Sequence, residues 1–451
     1  MLRPRALAAA AVALLAVALA LELFVYGQTG PRKLARPTRA PTTAPAPAPQ
    51  TFSIADVAAP APGAYSAHIV WMTTEPAAAT LQWGPTGMQP LLWTDAPHST
   101  TRHDVTLDAL AANTSYTINV TAQSISGARA TTVFTFRTAP SPTSVSASVG
   151  GDAIRVNGGA FFPLISWKAC PDHWARSVAD GINLFGGNEC TGLSALTAGI
   201  AGQALAAGTA EDSPVDAPSL LGWFYPDEAD ARGLTTLAPT GDGLHFLTLT
   251  QHFFTGAAAL PAGRTMYPGL IAAADVVGFD GYPLQELCRP DFLAADFDAQ
   301  QQLVQLAAGK PTFQWIEVRE MKCPSVPVTN ASIRAESWLA LAGGAHGLGF
   351  FPNDWNEQTG GAIEAIAARV HQLEPALLAP AEPVQVDSSS PAVRASARTF
   401  HGARYVFVVN AGTTPASVTI PELGDGAIVL DSQGTMLPPL GVRIYVVPPR
   451  S

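Results

Sequence analysis

Apolar and polar positions follow three different periods along the chain. From about Thr51 to Pro140, short segments alternate apolar and polar residues: AHIVWMT, ATLQWG, HDVTLDAL, SYTINVTA and TVFTFRT, separated by turn-forming residues. Successive side chains of a strand face opposite sides, so a period of two with one buried side predicts a β-sandwich over 51–140. From about Val145 to residue 380, apolar runs of strand length alternate with alanine-rich helical stretches, the signature of a parallel sheet with crossover helices. The candidate strands are 161–167, 182–187, 203–209, 220–225, 244–250, 275–282, 311–318 and 347–352, with helices such as 297–308 and 332–343 between them. Eight strands in about 200 residues are best accommodated by a (β/α)8 TIM barrel over 145–380. From about Ala381 the period returns to two in VRASARTF, ARYVFVVNAG, ASVTIPEL, GAIVLDS and VRIYVVPP, which predicts a small C-terminal antiparallel β domain over 381–451.

The N-terminus bears on location. Arg3 and Arg5 precede an apolar run from Ala6 to Leu21, resumed after Glu22 by Leu23–Tyr26. Residues 1–27 therefore read as a signal peptide, with Ala18-Leu19-Ala20 as a cleavage site, or as a membrane anchor, since about 20 apolar residues suffice to span a bilayer. Either reading places the rest of the chain outside the cytoplasm, extracellular or at the cell surface, with membrane or cell-wall attachment through the N-terminus as the alternative to release. Residues 28–50 form a Pro/Ala/Thr-rich linker whose composition stays extended. The four cysteines show no C-x-x-C spacing, and in an oxidising location the simplest of three connectivities is Cys170–Cys190 with Cys288–Cys323; buried free thiols are the alternative.

Composition narrows the partners. A hydrophobic fraction of 47% with only 13% charged residues excludes disorder over most of the length. The first fifty residues carry a net +5, and taking that from the overall −10 leaves −15 for residues 51–451. So acidic a body has no general attraction for phosphate backbones, which excludes nucleic acid and favours a neutral ligand. The chain has no G-x-S-x-G elbow, Walker loop, G-x-G-x-x-G after a strand or H-E-x-x-H, so no cofactor is expected. No metal is expected either, because no second histidine lies at ligand spacing from His252. A monomer is expected.

In a barrel of this kind the functional side chains lie at the C-terminal ends of the strands. That rule collects Trp167 after the first strand, Asn188 after the second, Tyr225, Asp227 and Glu228 after the fourth, and His252 after the fifth. Asp280 and Tyr282 follow the sixth, Trp315 and Glu317 end the seventh, and Asn353 and Trp355 follow the eighth. Aromatic faces stack on sugar rings while amides and carboxylates bind hydroxyls, so the set suits a carbohydrate substrate. Trp355, in a loop, is the tryptophan expected to meet it. Phe313, Trp315 and Glu317 share one strand face, which turns Glu317 into the mouth if that face is inward.

Two stretches carry resemblances. LDALAANTSYTINVTAQ resembles the fibronectin type III family, with Leu110 and Tyr116 at a corner before a late strand and Trp71 in an early core strand; about ninety residues are covered. GWFYPDEAD (222–230) resembles the fourth-strand motif of barrel glycoside hydrolases, and VNGGAFFPLISW, VVGFDGYP and GAHGLGFFPNDW have the same flavour over about 150–450. The resemblance implies an extracellular glycosidase acting on a polysaccharide or glycoconjugate by a two-carboxylate, retaining mechanism, with Glu228 as acid/base and Glu317 as nucleophile about 5–5.5 Å apart. Asp227 stands where many such enzymes have asparagine, Ala229 replaces a proline, and Gln314 offers the glutamine that some relatives carry on strand seven. A non-catalytic glycan- or wall-binding protein on a degenerate barrel is the alternative.

Overall fold

The computed structural model describes residues 51–450 apart from Asp216 and Asp425; the segments read as export signal and linker lie outside the described residues. The first unit is built from five antiparallel strands, β1 (Ile54–Ala58), β2 (Ser66–Pro85), β3 (Leu92–Asp108), β4 (Ser115–Ser124) and β5 (Arg129–Arg137). The β2–β3 register breaks between Met72 and Ala77. The first part of β2 pairs with β1 and the end of β3, and its second part with the start of β3 and with β4. Two bent strands thus serve both layers of a sandwich. Tyr116, Ile118, Val120 and Ala122 of β4 are buried in strict alternation. The Tyr116 hydroxyl accepts the Ala111 N–H at 2.8 Å, beside buried Leu110, the arrangement called a tyrosine corner.

A small sheet follows, β6 (Ala147–Gly150), β7 (Ala153–Val156) and β8 (Gly159–Phe161). Its Ile154, Val156 and Phe161 share a buried cluster with Ile165, Leu184, Leu205, Leu221, Leu244 and Val276. Those partners all stand near the starts of barrel strands, so the sheet stoppers the N-terminal end of the barrel. The run 161–167, read above as one strand, is divided around Pro163, which has no N–H to give a ladder.

The barrel consists of β9 (Leu164–Trp167), β10 (Leu184–Gly186), β11 (Leu205–Gly208), β12 (Leu220–Phe224), β13 (Leu244–Thr250), β14 (Val276–Asp280), β15 (Thr312–Glu317) and β16 (Leu348–Phe351). All eight pair in parallel, and β16 pairs with β9 to close the ring. Each strand falls inside its expected run. The described helices are α1 (Pro171–Ala179), α2 (Leu193–Gly199), α3 (Tyr267–Ala273), α4 (Ala294–Ala307), α5 (Asn330–Gly343) and α6 (Glu357–Leu377); among the described residues no α-helix follows β11 or β12. Helix α5 starts where it does because Thr329 and Ser332 cap each other reciprocally, Ser332 N–H to Thr329 Oγ1 at 3.1 Å and Thr329 N–H to Ser332 Oγ at 2.8 Å.

The chain ends in β17 (Asp387–Ser388), β18 (Val393–Phe400), β19 (Ala403–Asn410), β20 (Ala416–Thr419), β21 (Ile428–Asp431), β22 (Met436–Leu437) and β23 (Val442–Val447). They form a four-stranded antiparallel sheet ordered β18-β19-β23-β21 and a smaller one ordered β17-β20-β22. Trp338 of α5 stacks on Phe407 of β19 at 5.6 Å. The Tyr405 hydroxyl donates to the Leu91 carbonyl at 2.6 Å and Gln372 Nε2 to the Gln89 carbonyl at 2.7 Å. Sandwich, barrel helices and C-terminal sheet therefore share one apolar core.

Candidate active site

Five aromatic side chains, Trp167, Phe224, Phe246, Phe313 and Trp315, fill the barrel interior. Trp167 meets Phe224 and Trp315 edge-on at 5.0 and 5.6 Å, and the Trp315 indole N–H donates to Thr248 Oγ1 at 3.0 Å. Gly349 must be glycine here: a Cβ would lie 2.1 Å from the Trp315 ring. Above this floor, at the C-terminal ends of the strands, opens a cleft of about 600 Å³ lined by Trp167, Lys168, Arg319, Phe351 and Asn353 among others. Asn353 Nδ2 donates to the Trp167 carbonyl at 2.6 Å, which joins the last barrel loop to the first. Two disulfides brace the same face. Cys170–Cys190 ties the loops after β9 and β10, and Cys288–Cys323 those after β14 and β15.

Three carboxyls gather where the loop after β12 meets the end of β14. Asp280 is only 8% exposed, and its carboxyl is in hydrogen-bonding contact with that of Glu228. Burial holds Asp280 well above the usual carboxylate range, with Glu228, Asp227 and Asp230 adding repulsion. Asp227 is also raised, by burial first and Glu228 second, while Arg232 and Lys168 oppose the shift. Glu228 itself is half-buried with φ +48°, and Tyr282 has φ +44°. Side chains with a Cβ disfavour that left-handed region by about 1–2 kcal/mol, and such strain concentrates where a side chain must be aimed. The Tyr282 ring stacks on Phe351 at 6.0 Å, carrying the aromatic surface from the cleft toward Asp280.

Asp230, Lys168 and Glu211 were not singled out in the sequence, yet they hold this arrangement. Buried Asp230 accepts the Thr250 N–H at 3.0 Å, the Thr250 hydroxyl at 2.6 Å and the Tyr267 hydroxyl at 3.0 Å, anchoring the loop after β12 to β13 and α3. Lys168 pairs with Glu211 at 3.4 Å. The one available signal was position, since Asp230 and Lys168 also lie just past strand ends.

Glu317 does not reach the cleft. Its side chain is 0% exposed, and its two oxygens accept the N–H groups of Leu284 and Gln285, each at 2.7 Å. Burial lifts it to about 7 against the opposing pull of those amides. Behind it lie Asp296 and Glu336, both buried and held well above the usual range, each with one oxygen lacking a partner. Strand alternation does align Glu317 with Phe313 and Trp315, but the loop over 281–287 folds across the strand end and takes the carboxylate. Gln314 is buried too, with both polar atoms unpartnered.

Four other expected contacts turn elsewhere. Tyr225 lies on the outer side of β12, its hydroxyl donating to the Ala273 carbonyl at 2.9 Å, because adjacent strand residues face opposite ways and Phe224 is the inward one. Trp355 is 3% exposed, with its indole N–H donating to Asp180 at 2.7 Å. His252 Nδ1 hydrogen-bonds the Ala258 carbonyl at 2.7 Å within its own loop. Asn188 Oδ1 accepts from the Thr191 N–H and hydroxyl at 2.6 and 3.0 Å, bracing the disulfide loop. The structure thus places Trp167 and Asn353 on the cleft, and Asp227, Glu228, Asp280 and Tyr282 at neighbouring strand ends, linked to it through Lys168 and Phe351. Among the described residues, no group of three His, Cys, Asp or Glu is placed to hold a metal ion.

No family model matches the sequence, and no curated protein matches it. Among solved structures, the chain is similar to β-glucuronidase from Ruminococcus gnavus in complex with D-glucaro-δ-lactam, at 10% identity and a TM-score of 0.33, covering 66% of this chain and 61% of that one. It is likewise similar to Lactobacillus rhamnosus β-glucuronidase, at 14% identity and a TM-score of 0.31, covering 66% and 60%. The chain spans about three fifths of the length of those proteins.

Proposed function

We propose that this chain is an exported glycoside hydrolase that cleaves O-glycosidic bonds in a polysaccharide or glycoconjugate, with Glu228 and Asp280 together acting as the acid. One observation carries the reading: the half-buried Glu228 carboxyl lies against the buried Asp280 carboxyl, whose charged form burial disfavours, at the C-terminal ends of the barrel strands. Glycosidic cleavage needs a proton on the departing oxygen and a negative charge near the sugar ring, which becomes oxocarbenium-like. Asp280 holds the proton because its ionised form would be buried beside Glu228 and Asp227. Glu228 relays it to the departing oxygen as the C–O bond pair moves there. Asp227, whose ionised form Arg232 and Lys168 favour against the opposing effects of burial and Glu228, supplies the negative charge near the ring. Water adds to the anomeric carbon, and the proton it releases returns to the pair.

Trp167 and Phe351 line the cleft and offer stacking faces, and a neutral glycan suits a rim whose Arg319 is already paired with Asp354 at 2.6 Å. Action outside the cytoplasm is supported by the two disulfides, which persist in oxidising compartments. The reading is tested by incubating the purified protein with a panel of neutral polysaccharides and glycoconjugates. New reducing ends that disappear in Glu228→Gln are expected; equal release by that variant from a substrate with a poor leaving group would remove Glu228 from the mechanism. A second reading, glycan binding without turnover, is favoured by the seal on Glu317, which denies the seventh strand a nucleophile. Glycan retention by the protein with no product from any panel member would decide for it.

A further inference from the structure

We propose that Glu317 is a positioning residue, whose sealed carboxylate clamps the loop over 281–287 through the Leu284 and Gln285 amides and so sets Tyr282 and Asp280 at the mouth. The clamp has two sides. Leu284 and Gln285 N–H groups each donate to a different oxygen of Glu317 at 2.7 Å, a two-point grip that fixes direction as well as distance. The Gln285 side chain completes it, accepting the Met321 N–H at 2.7 Å and the Cys323 N–H at 3.2 Å while donating to the Val326 carbonyl at 2.6 Å. The Cys288–Cys323 disulfide closes the same loop covalently.

The loop so held is short. Tyr282 stands two residues before the first gripped amide and occupies a strained backbone conformation that a free loop would relax. Asp280 ends the strand that feeds the loop, and Tyr282 stacks on Phe351 at the cleft. From the other side, Glu336 Oε1 accepts the backbone N–H of Glu317 at 3.2 Å. Three neighbouring acids cannot all ionise in one sealed space. Two N–H groups favour the ionised form of Glu317 against its burial, whereas burial and Glu317 together hold Asp296 and Glu336 well above the usual carboxylate range. This arrangement gives a carboxyl at a barrel-strand end a task with no contact to substrate.

The consequence for turnover rests on the glycosidase reading, whereas the clamp itself does not, and the experiment separates the two. Glu317→Gln is nearly isosteric but turns an amide NH2 toward one of the two donors. Hydrogen exchange should quicken at the Leu284 and Gln285 amides by about tenfold or more, with the barrel strands unchanged. Glycan KM should rise several-fold while kcat falls by less than about a hundredfold, the pattern of lost positioning. Azide should not restore turnover in Glu317→Ala.

Azide rescue with a glycosyl azide product would make Glu317 the nucleophile and overturn the proposal, as would unchanged exchange at the two amides in Glu317→Gln. Should the variants fail to fold, the wild-type protein decides. Exchange at Leu284 and Gln285 as slow as in β14 and β15 supports the clamp, and exchange at exposed-loop rates sinks it. Absence of turnover by the wild-type protein on every glycan would remove the glycosidase reading alone and leave the exchange arms to judge the clamp.

Discussion

Two sets of three carboxyls flank the loop after β14, and they differ in what can approach them. Asp227, Glu228 and Asp280 crowd at the C-terminal strand ends, with Lys168 and Arg232 opposing the shift of Asp227. Asp296, Glu317 and Glu336 crowd behind the strand, where the counter-groups are backbone amides. Both sets meet the same electrostatic problem, like charges in a poorly solvated space, and burial raises Asp227 and Asp280 in the one and Asp296, Glu317 and Glu336 in the other. Only the first can pass a proton to something that arrives from outside. Acidity at the end of a barrel strand therefore does not identify the chemistry; access does.

The largest effect expected from breaking this contrast is at Glu228. Glu228→Gln should lower turnover on a poor-leaving-group glycoside by about a thousandfold with little change in melting temperature, because the change removes a proton relay at a half-buried position. Asp280→Asn should lower turnover by about ten- to a hundredfold. It should also move the alkaline limb of the pH–rate profile to lower pH, since the relay loses the neighbour that stores its proton; an unmoved limb would separate Asp280 from the reaction.

The sealed set should show itself in stability instead. Folding raises Glu317 from 4.5 to about 7, so the folded form binds a proton that the unfolded chain releases above about 4.5. Its contribution is therefore complete below that pH and is lost as pH climbs through about 7, on the order of 3 kcal/mol in all. Asp296 and Glu336 act in the same direction. Melting temperature against pH should fall across this window in the wild-type protein and more gently in Glu317→Gln. The smallest effect is expected outside both sets: Trp355→Phe should cost about 1–2 kcal/mol through its lost hydrogen bond to Asp180 and leave kcat/KM unchanged.

Much of the architecture was legible because periodicity is a local property. Apolar runs of strand length separated by helical stretches located all eight barrel strands, including β11, whose small Ala206 and Ala207 gave the weakest pattern. Long-range cover was not legible. Nothing near Glu317 announces that residues 281–287 will fold over it, and nothing in the loops after β11 and β12 announces that helices are missing there. The facing of Tyr225 could have been read: once Phe224 is inward, alternation sends its neighbour outward. The direction of Trp355 could not, since a loop ring has no period to follow. At the mouth, the PDEAD segment was found by its place after a strand, whereas the anchoring role of Asp230 needed Thr250 and Tyr267, residues 20 and 37 positions away.

The hydrogen bond from Tyr405 to Leu91 joins residues 314 positions apart. With Gln372 reaching Gln89 and Trp338 lying on Phe407, it leaves no seam at which the chain from Thr51 onward could be cut. The sandwich is then no interchangeable bead on a string. Calorimetry should record a single endotherm for all three parts, and a fragment ending near residue 380 should expose the apolar flank of α5 and precipitate before it could be assayed.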